Sequence, residues 1–254
     1  MSILRSALAA ALLLAAIPAS AAETVKLRAD SWCPYNCEPG KAPGYLVEIV
    51  KAAVEPAGMT VDYQLMDWTE AIEAVGKGTA TGAVGAIEEE APNLLYPKAN
   101  MGRSSPVLAT AKGSGFQFKG FQSLEGKRLG YVEDYFYSTE VNAFIDKHKG
   151  SPNLITVSGD NVTDALIKLL LDHKVDAIVE DGNVIDFTIE TRGYARLFEY
   201  HSMGAPSPVS IGFSPVDPVG AKVVALIDAE LPKMRQDGRL AAILKKYAVK
   251  DWQN

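Results

Sequence analysis

The two cysteines of the chain lie four positions apart in the segment ADSWCPYNCEPG, residues 29–40. Such a pair can form a disulfide, act as a redox dithiol or bind a metal. A redox dithiol usually has two residues between its cysteines at a helix start, whereas three separate them here. A metal site needs further ligands, and the three histidines are scattered along the chain. We therefore predict a disulfide between Cys33 and Cys37 that shapes a loop, and rank the redox and metal alternatives behind it.

The first 22 residues have the organisation of a cleavable secretory leader. Arg5 supplies a basic start, an apolar run extends from Ala7 to Ile17, and small residues follow up to Ala21 and Ala22. The apolar run is too short to cross a bilayer as a helix. We predict a signal peptide over 1–22, cleaved near Ala21/Ala22, and export to a bacterial periplasm. Such an oxidising compartment favours the disulfide.

Composition limits the class of partner. The chain has 254 residues, a net charge of −6 and 48% hydrophobic residues, with both charge signs interspersed. An acidic chain without a basic stripe is a poor ligand for nucleic acid, so we expect no nucleic-acid partner. We expect a monomer. No nucleophile triad, phosphate loop or metal-ligand cluster stands out in the sequence, so we expect neither a cofactor nor a metal.

The elements that must position these residues form two strand–helix series. In the first, strands are predicted at 24–30, 60–66 and 80–87, with amphipathic helices at 44–58 and 67–78 between them. Alternation of this kind indicates a parallel sheet with helices on its faces.

The second series begins after residue 126. We predict its strands at 127–132, 153–159 and 175–181, and its helices from 138, at 160–174 and at 182–193. The remaining tail, a strand at 208–215 and two helices, returns to the first series. The prediction is therefore an α/β protein of two lobes, 23–108 plus 208–254 and 109–207. Crossovers near 105–112 and 200–210 form its hinge, and a small ligand binds in the cleft between the lobes.

Five segments in this order carry a resemblance to a known family. They are GYLVEIVKAA, DWTEAIEAVGKGTATGAVGAI, SLEGKRLGYV, LLLDHKVDAIVEDGNV and LPKMRQDGRLAAILKKYAV. The chain resembles the family 3 extracellular solute-binding proteins, the periplasmic component of amino-acid-type ABC importers. The resemblance implies a type II two-lobed fold and an ABC-type permease, or another inner-membrane complex, as partner.

The ligand anchors that the resemblance implies are only partly present. Amino-acid-binding members hold the ligand carboxylate with an arginine in a T-x-x-R setting after the third strand, where this chain has Glu88, Glu89 and Glu90. Their anion-binding Gly-Thr-Thr-like turn reads EDYFYST here. Asp181 matches the acid that partners the ligand amine. An ordinary α-amino acid is therefore not the expected ligand, and an amine-bearing or aromatic molecule is.

Aromatic residues follow several of the predicted strands, where open α/β sheets place their ligand crevice. Such rings suit an organic cation through cation–π contact, or stack on a sugar or an aromatic ring. The alternative is that these rings are core residues. The alternative for the three glutamates after residue 87 is a solvated turn, with only one of the three side chains pointing inward. The ligand-binding residues we predict are Trp32, Tyr35, Tyr45, Trp68, Glu88, Tyr135, Tyr137 and Asp181, with Phe136 in the same aromatic run.

Two alternatives to a transport binding protein stay open. Cyclohexadienyl dehydratases resemble the same fold and use a cleft carboxylate as an acid, a part that Glu133, Glu180 or Asp181 could play. The anion anchors that such a substrate needs are missing, unless Arg103 is a relocated anchor rather than a surface residue. The other alternative is a periplasmic partner that presents its ligand to a sensor or an electron-transfer complex.

Overall fold

A computed structural model of the chain describes residues 22–159, 161–194 and 197–253. All but the last residue of the predicted leader lies outside these ranges. The structure contains eleven strands and seven α-helices within the described residues. In chain order they are β1 Thr24–Ala29, α1 Tyr45–Val54, β2 Thr60–Leu65, α2 Trp68–Gly76, β3 Gly82–Ala86, β4 Arg103–Ser104, β5 Pro106–Ala111, β6 Leu129–Val132, α3 Thr139–Lys147, β7 Leu154–Val157, α4 Val162–Leu171, β8 Ala177–Asp181, α5 Gly182–Arg192, β9 Phe198–Ser202, β10 Ser207–Pro208, β11 Ser210–Phe213, α6 Pro218–Asp237 and α7 Arg239–Lys246.

The first lobe is built on a four-stranded sheet in the order β2–β1–β3–β11. Strands β1, β2 and β3 run parallel, and β11 returns antiparallel to β3. Helix α1 buries the apolar positions expected from its spacing and packs against α6 and α7. The chain's last two helices therefore complete this lobe, because the apolar face of α1 needs them as a cover.

The second lobe has a five-stranded sheet in the order β7–β6–β8–β5–β9. Strands β6, β7 and β8 are parallel, and β5 pairs antiparallel with both β8 and β9. Four of the five strands thus run in one direction. The predictions did not include β9, which lies at the edge of the sheet and was assigned to the crossover near 200–210. Its sequence FEYHS does alternate Phe198 and Tyr200 with polar residues, but none of its side chains is fully buried.

A short antiparallel pair joins the lobes. Ser104 pairs with Ser207 and Arg103 with Pro208, so β4 and β10 are the two connections between the sheets. The first connection, at Arg103–Ser104, lies just before the crossover predicted near 105–112. Most of that predicted crossover is strand β5, which is hydrogen-bonded into the second sheet. No helix of the described ranges is both long and apolar enough to cross a membrane.

Candidate functional site

Two adjoining cavities lie between the lobes, at the carboxyl ends of β1, β3 and β6. We call the smaller one, of about 30 Å³, the inner chamber; Asp30, Trp32, Trp68, Val84, Gly85, Ile87, Glu90, Tyr135 and Phe136 line it. We call the larger one, of about 280 Å³, the outer cleft; its lining includes Glu38, Asp67, Glu133, Asp134, Ser158 and Asn161. Asp30, Trp68 and Tyr135 line both, so the two cavities form one continuous site.

Residues 30–37, which we call the cysteine loop, hold Trp32 at the wall of the inner chamber. The structure forms the predicted disulfide, with the Cα atoms of Cys33 and Cys37 4.7 Å apart. The Trp32 amide donates to the Asn36 carbonyl oxygen at 2.7 Å, and the Asn36 side chain donates to the Asp30 carbonyl oxygen at 2.9 Å. Because both ends of the loop are tied, the tryptophan ring has a preset orientation before any ligand arrives.

Gly85 allows the cysteine loop to approach β3. Its φ is 96°, and a Cβ at this position would lie 2.8 Å from Asn36 Oδ1 and 3.4 Å from Trp32 Cε3. A side chain would therefore displace the loop that presents the tryptophan, in addition to straining the backbone.

Trp68 and Glu90 face each other across the inner chamber. Trp68 begins α2, whose N-terminus is capped by the Asp67 carboxylate, and the indole Nε1 donates to Glu90 Oε1 at 2.7 Å. Burial raises the pKa of Glu90 to about 7, although the indole hydrogen bond favours the ionised form. Of the three consecutive glutamates only Glu90 lines the chamber, while Glu88 and Glu89 are exposed.

Glu180 is a fully buried carboxyl next to the chamber, on the side of the second lobe. Its oxygens accept from Trp32 Nε1 at 3.2 Å, Thr163 Oγ1 at 3.1 Å and the Asp181 amide at 2.8 Å. Burial raises its pKa to about 7 against the effect of these donors. The bond from Trp32 joins the lobes, since Trp32 follows β1 and Glu180 ends β8.

Asp30 makes a second contact between the lobes. It directly follows β1, and its carboxyl forms a hydrogen bond with the hydroxyl of Tyr135 from the second lobe. Burial raises the pKa of Asp30 to about 6, although the tyrosine bond lowers it. Neither Asp30 nor Glu90 was the acid chosen from the sequence. Asp30 was identifiable because it is the first residue after a strand, where the ligand crevice of such sheets lies.

Five of the predicted ligand residues do not line either cavity: Tyr35, Tyr45, Glu88, Tyr137 and Asp181. Tyr35 and Tyr45 are completely buried in the first lobe's core, with their rings 5.4 Å apart. Tyr137 is buried in the second lobe, where its hydroxyl accepts from the Val132 amide at 2.8 Å. Tyr35 and Tyr45 belong to the hydrophobic core of the first lobe, and Tyr137 belongs to that of the second. Trp32, Trp68 and Tyr135 are the predicted aromatic residues that the site does bring together.

Asp181 is a structural residue of the hinge. It caps α5 by accepting from the Asn183 and Val184 amides, and it accepts from Ser104 Oγ at 2.9 Å and the Ser105 amide at 2.7 Å. These donors satisfy both of its oxygens. Its neighbour Glu180 points to the chamber instead, because successive strand residues face opposite sides of a sheet.

The two remaining candidates lie near the surface. Arg103 is exposed on β4, and its carbonyl oxygen accepts from the Tyr35 hydroxyl at 2.6 Å, on the side of the hinge away from the chamber. Glu133 is exposed at the outer cleft. Among the described residues there is no group of three or more histidine, cysteine or acidic side chains placed to hold a metal.

Two α/β lobes, a two-strand connection and a cavity between them define a ligand-binding protein that encloses a small molecule. The model of the bacterial extracellular solute-binding proteins, family 3, matches residues 27–250, and the chain belongs to this family. The predicted α/β, two-lobed type II fold is thereby confirmed. No curated protein matches the chain in sequence.

Solved structures support the fold at low sequence identity. The substrate-binding protein of an ABC uptake transporter from Streptococcus pneumoniae, with bound histidine, is 20% identical with a TM-score of 0.69, over 88% of this chain and 92% of that one. A histidine kinase sensor domain similar to periplasmic binding proteins is 19% identical with a TM-score of 0.71, over 89% and 96%. An ancestral amino-acid-binding protein, described as a precursor of cyclohexadienyl dehydratase, is 16% identical with a TM-score of 0.66, over 88% and 94%. At these identities the likeness concerns the fold alone.

Proposed function

We propose that this protein is a periplasmic solute-binding protein that closes on a small organic cation and delivers it to a membrane transporter. The observation that carries the proposal is the combination of carboxyls and rings at the inner chamber. Asp30 and Glu90 line it together with Trp32, Trp68 and Phe136, and no lysine, arginine or histidine is among the lining residues described for either cavity.

The energetics of the empty site favour a cation. Burial, helped by neighbouring acids, raises the pKa of Asp30, Glu90 and Glu180 to about 6, 7 and 7, so ionising them without a partner is costly. A bound ammonium group supplies the missing countercharge, and the indole faces add cation–π attraction in a site shielded from water. Binding and ionisation of these carboxyls are therefore coupled.

The same lining disfavours an ordinary amino acid. The pneumococcal relative is described with bound histidine, and a ligand of that kind presents a carboxylate that must be neutralised. In this chain Glu90 occupies the inward position of the loop after β3, where the resemblance places an arginine, so a ligand carboxylate would meet a negative side chain. We therefore place the ligand among amines and other organic cations.

The partner and the location follow from the family and the leader. The family is extracellular, and the structurally similar pneumococcal protein belongs to an ABC uptake transporter, which supports an ABC-type permease as the receiving complex. The predicted leader directs the chain to the periplasm. We propose a monomer, because each lobe completes its own sheet and core.

Catalysis is the second candidate. Glu180 and Glu90, with pKa values of about 7, can hold a proton at neutral pH and donate it to a bound substrate, as a dehydratase acid does. The relative described as a precursor of cyclohexadienyl dehydratase adds some support. A dicarboxylate substrate, however, needs cationic anchors, and the described lining of the cleft offers none. Binding therefore ranks ahead of catalysis.

A thermal-shift screen of the mature, oxidised protein tests the proposal. The panel contains organic cations (choline, alkylamines, diamines), neutral amino acids, glucose and prephenate. A ligand at one hundred times its Kd adds about 2.7 kcal/mol, which raises the Tm by about 5–10 °C for a chain of this size. We expect a shift with members of the cation group alone. A shift with neutral amino acids or sugars and none with cations would refute the proposal, and turnover of prephenate would favour the enzyme.

A further inference from the structure

The acids of the site extend well beyond the inner chamber. Besides Asp30 and Glu90, the outer cleft is lined by four more carboxylates, Glu38, Asp67, Glu133 and Asp134. They come from separate parts of the chain: Glu38 directly follows the cysteine loop, Asp67 precedes α2, and Glu133 and Asp134 lie in the loop after β6. The site therefore has one group of carboxyls at its inner end and another at its mouth.

The acids that line the two cavities differ from many acids elsewhere on the molecule in their lack of ion-pair partners among the described residues. Along the described ranges eleven ion pairs occur, including Arg28–Asp62, Arg128–Asp176 and Arg235–Asp251, and none of them uses an acid of the two cavities. The Asp67 carboxylate accepts a hydrogen bond from the Glu70 amide and so caps α2. The other mouth acids form no ion pair with any cation of the described residues, which leaves their charges available to a ligand.

The mouth acids belong to both lobes. Glu38 and Asp67 lie on the first lobe, and Glu133 and Asp134 lie on the second, across the outer cleft. Closure of the lobes brings these like charges nearer to each other, which opposes closure of the empty protein. A positive group placed between them removes that opposition and favours the closed form.

One positive feature also faces the outer cleft. Asn161 and Val162 line it at the N-terminus of α4, which has no side-chain cap and carries the positive end of the helix dipole. A ligand carboxylate could bind there. The partial positive charge of the helix end is small compared with the negative charge of the surrounding acids. A basic amino acid, which has a carboxylate for the helix end and an ammonium group for the acids, is therefore the competing ligand.

On the basis of the proposed function, we propose that the site selects a linear diamine or polyamine, a ligand with two separated ammonium groups and no carboxylate. One ammonium binds in the inner chamber beside Asp30 and Glu90. The methylene chain lies against the ring of Trp68, which lines both cavities, and the second ammonium binds between Glu133 and Asp134 and the acids of the first lobe. The ligand thus supplies a countercharge at both ends of the site.

Three ligands with the same five-carbon chain test this selection by isothermal titration calorimetry. They are n-pentylamine, with one ammonium, 1,5-diaminopentane, with two, and L-lysine, which is the diamine with an added carboxylate. We expect 1,5-diaminopentane to bind at least about tenfold more tightly than each of the other two, because each lacks a favourable charge or adds an unfavourable one.

Variants locate the second ammonium. The double substitution Glu133→Gln with Asp134→Asn should weaken 1,5-diaminopentane about tenfold and leave n-pentylamine unchanged, because only the diamine reaches the mouth. Glu125→Gln, an exposed acid of the same lobe outside the two cavities, is the matched control and should change neither affinity.

The outcomes separate this inference from the proposed function. Equal affinity for n-pentylamine and 1,5-diaminopentane, or a double variant that weakens both equally, would overturn the two-ammonium inference while leaving a cation-binding protein. Tighter binding of L-lysine than of the diamine would overturn it in favour of a basic amino acid held at α4. Absence of binding by all three, together with choline, would overturn the proposed function as well.

Discussion

Replacement of Glu90 by glutamine isolates the cost of a charge in the inner chamber. Glutamine has nearly the same shape and keeps an oxygen that can accept the hydrogen bond from Trp68 Nε1, which lies 2.7 Å from Glu90 Oε1 in the native protein. The substitution therefore removes the titration with little change in packing. We expect the variant to be more stable than the native protein at alkaline pH and nearly equal to it in acid.

The magnitude follows from the shifted pKa. Burial raises the pKa of Glu90 from 4.5 to about 7, so the folded state binds the proton more tightly than the unfolded state does. The contribution of Glu90 to stability is therefore fully present below pH 4.5 and is lost as the pH rises through 7. The full shift corresponds to about 3 kcal/mol at pH 8, and because Glu90 is only partly buried we expect about 2 kcal/mol. At pH 4.5 the same relation leaves less than about 0.5 kcal/mol.

Urea unfolding of the ligand-free protein at pH 4.5 and pH 8 measures this difference. The expected gain of Glu90→Gln at pH 8 corresponds to a Tm higher by about 4–8 °C. Glu88→Gln is the control, since Glu88 is exposed two residues earlier in the same loop and should change stability at neither pH. An effect of Glu90→Gln that is the same at both pH values would show that the carboxyl is solvated and would refute the argument.

Three further predictions concern the cysteine loop and its ligand. Gly85→Ala should destabilise the protein by about 1–3 kcal/mol in urea unfolding and weaken ligand binding, because the new Cβ would lie 2.8 Å from the Asn36 side chain. The control is Gly113→Ala, which is also at positive φ but has open space around the new Cβ. Equal losses of stability in the two variants would exclude a role for the contact with Asn36. Serine at both Cys33 and Cys37 should lower the free energy of unfolding by about 2 kcal/mol and weaken ligand binding by more, whereas unchanged affinity in calorimetry would contradict preorganisation by the disulfide. Calorimetry in buffers of different ionisation enthalpy should detect proton release when a cation binds at pH 6.5 and almost none at pH 8.5; equal release at both would contradict the raised pKa values of the chamber carboxyls.

Local pattern was sufficient for most of the order of strands and helices. Helix α1 follows from the spacing of Leu46, Ile49, Val50 and Ala53, and parallel pairing follows from the alternation of strands with helices. Strand β9 was missed because its alternate residues face neither a deep core nor plain solvent. Its pairing with β5 depends on the second lobe as a whole.

Local sequence pattern did not predict which of several neighbouring acids points toward the cleft. From the sequence we selected Glu88 after β3 and Asp181 after β8, whereas in the structure Glu90 lines the inner chamber and Glu180 bonds to the chamber residue Trp32. Glu180 and Asp181 are successive residues of β8 and point to opposite faces, so an error of one position exchanges one environment for the other. Glu88 and Glu90 lie in the turn after β3, where no strand alternation indicates which side chain faces inward.

Spacing and the order of elements along the chain were enough to predict the two-lobed fold, the disulfide, and aromatic and acidic residues around a cleft, because these features follow from local pattern. Which rings fill the core and which carboxyls are withdrawn from water depends on the packing of the whole molecule. Burial results from segments far apart in the chain, as when Trp32 from the first lobe covers Glu180 of the second. The chemistry of the site depends on that burial, since it raises the pKa values that make a bound cation favourable.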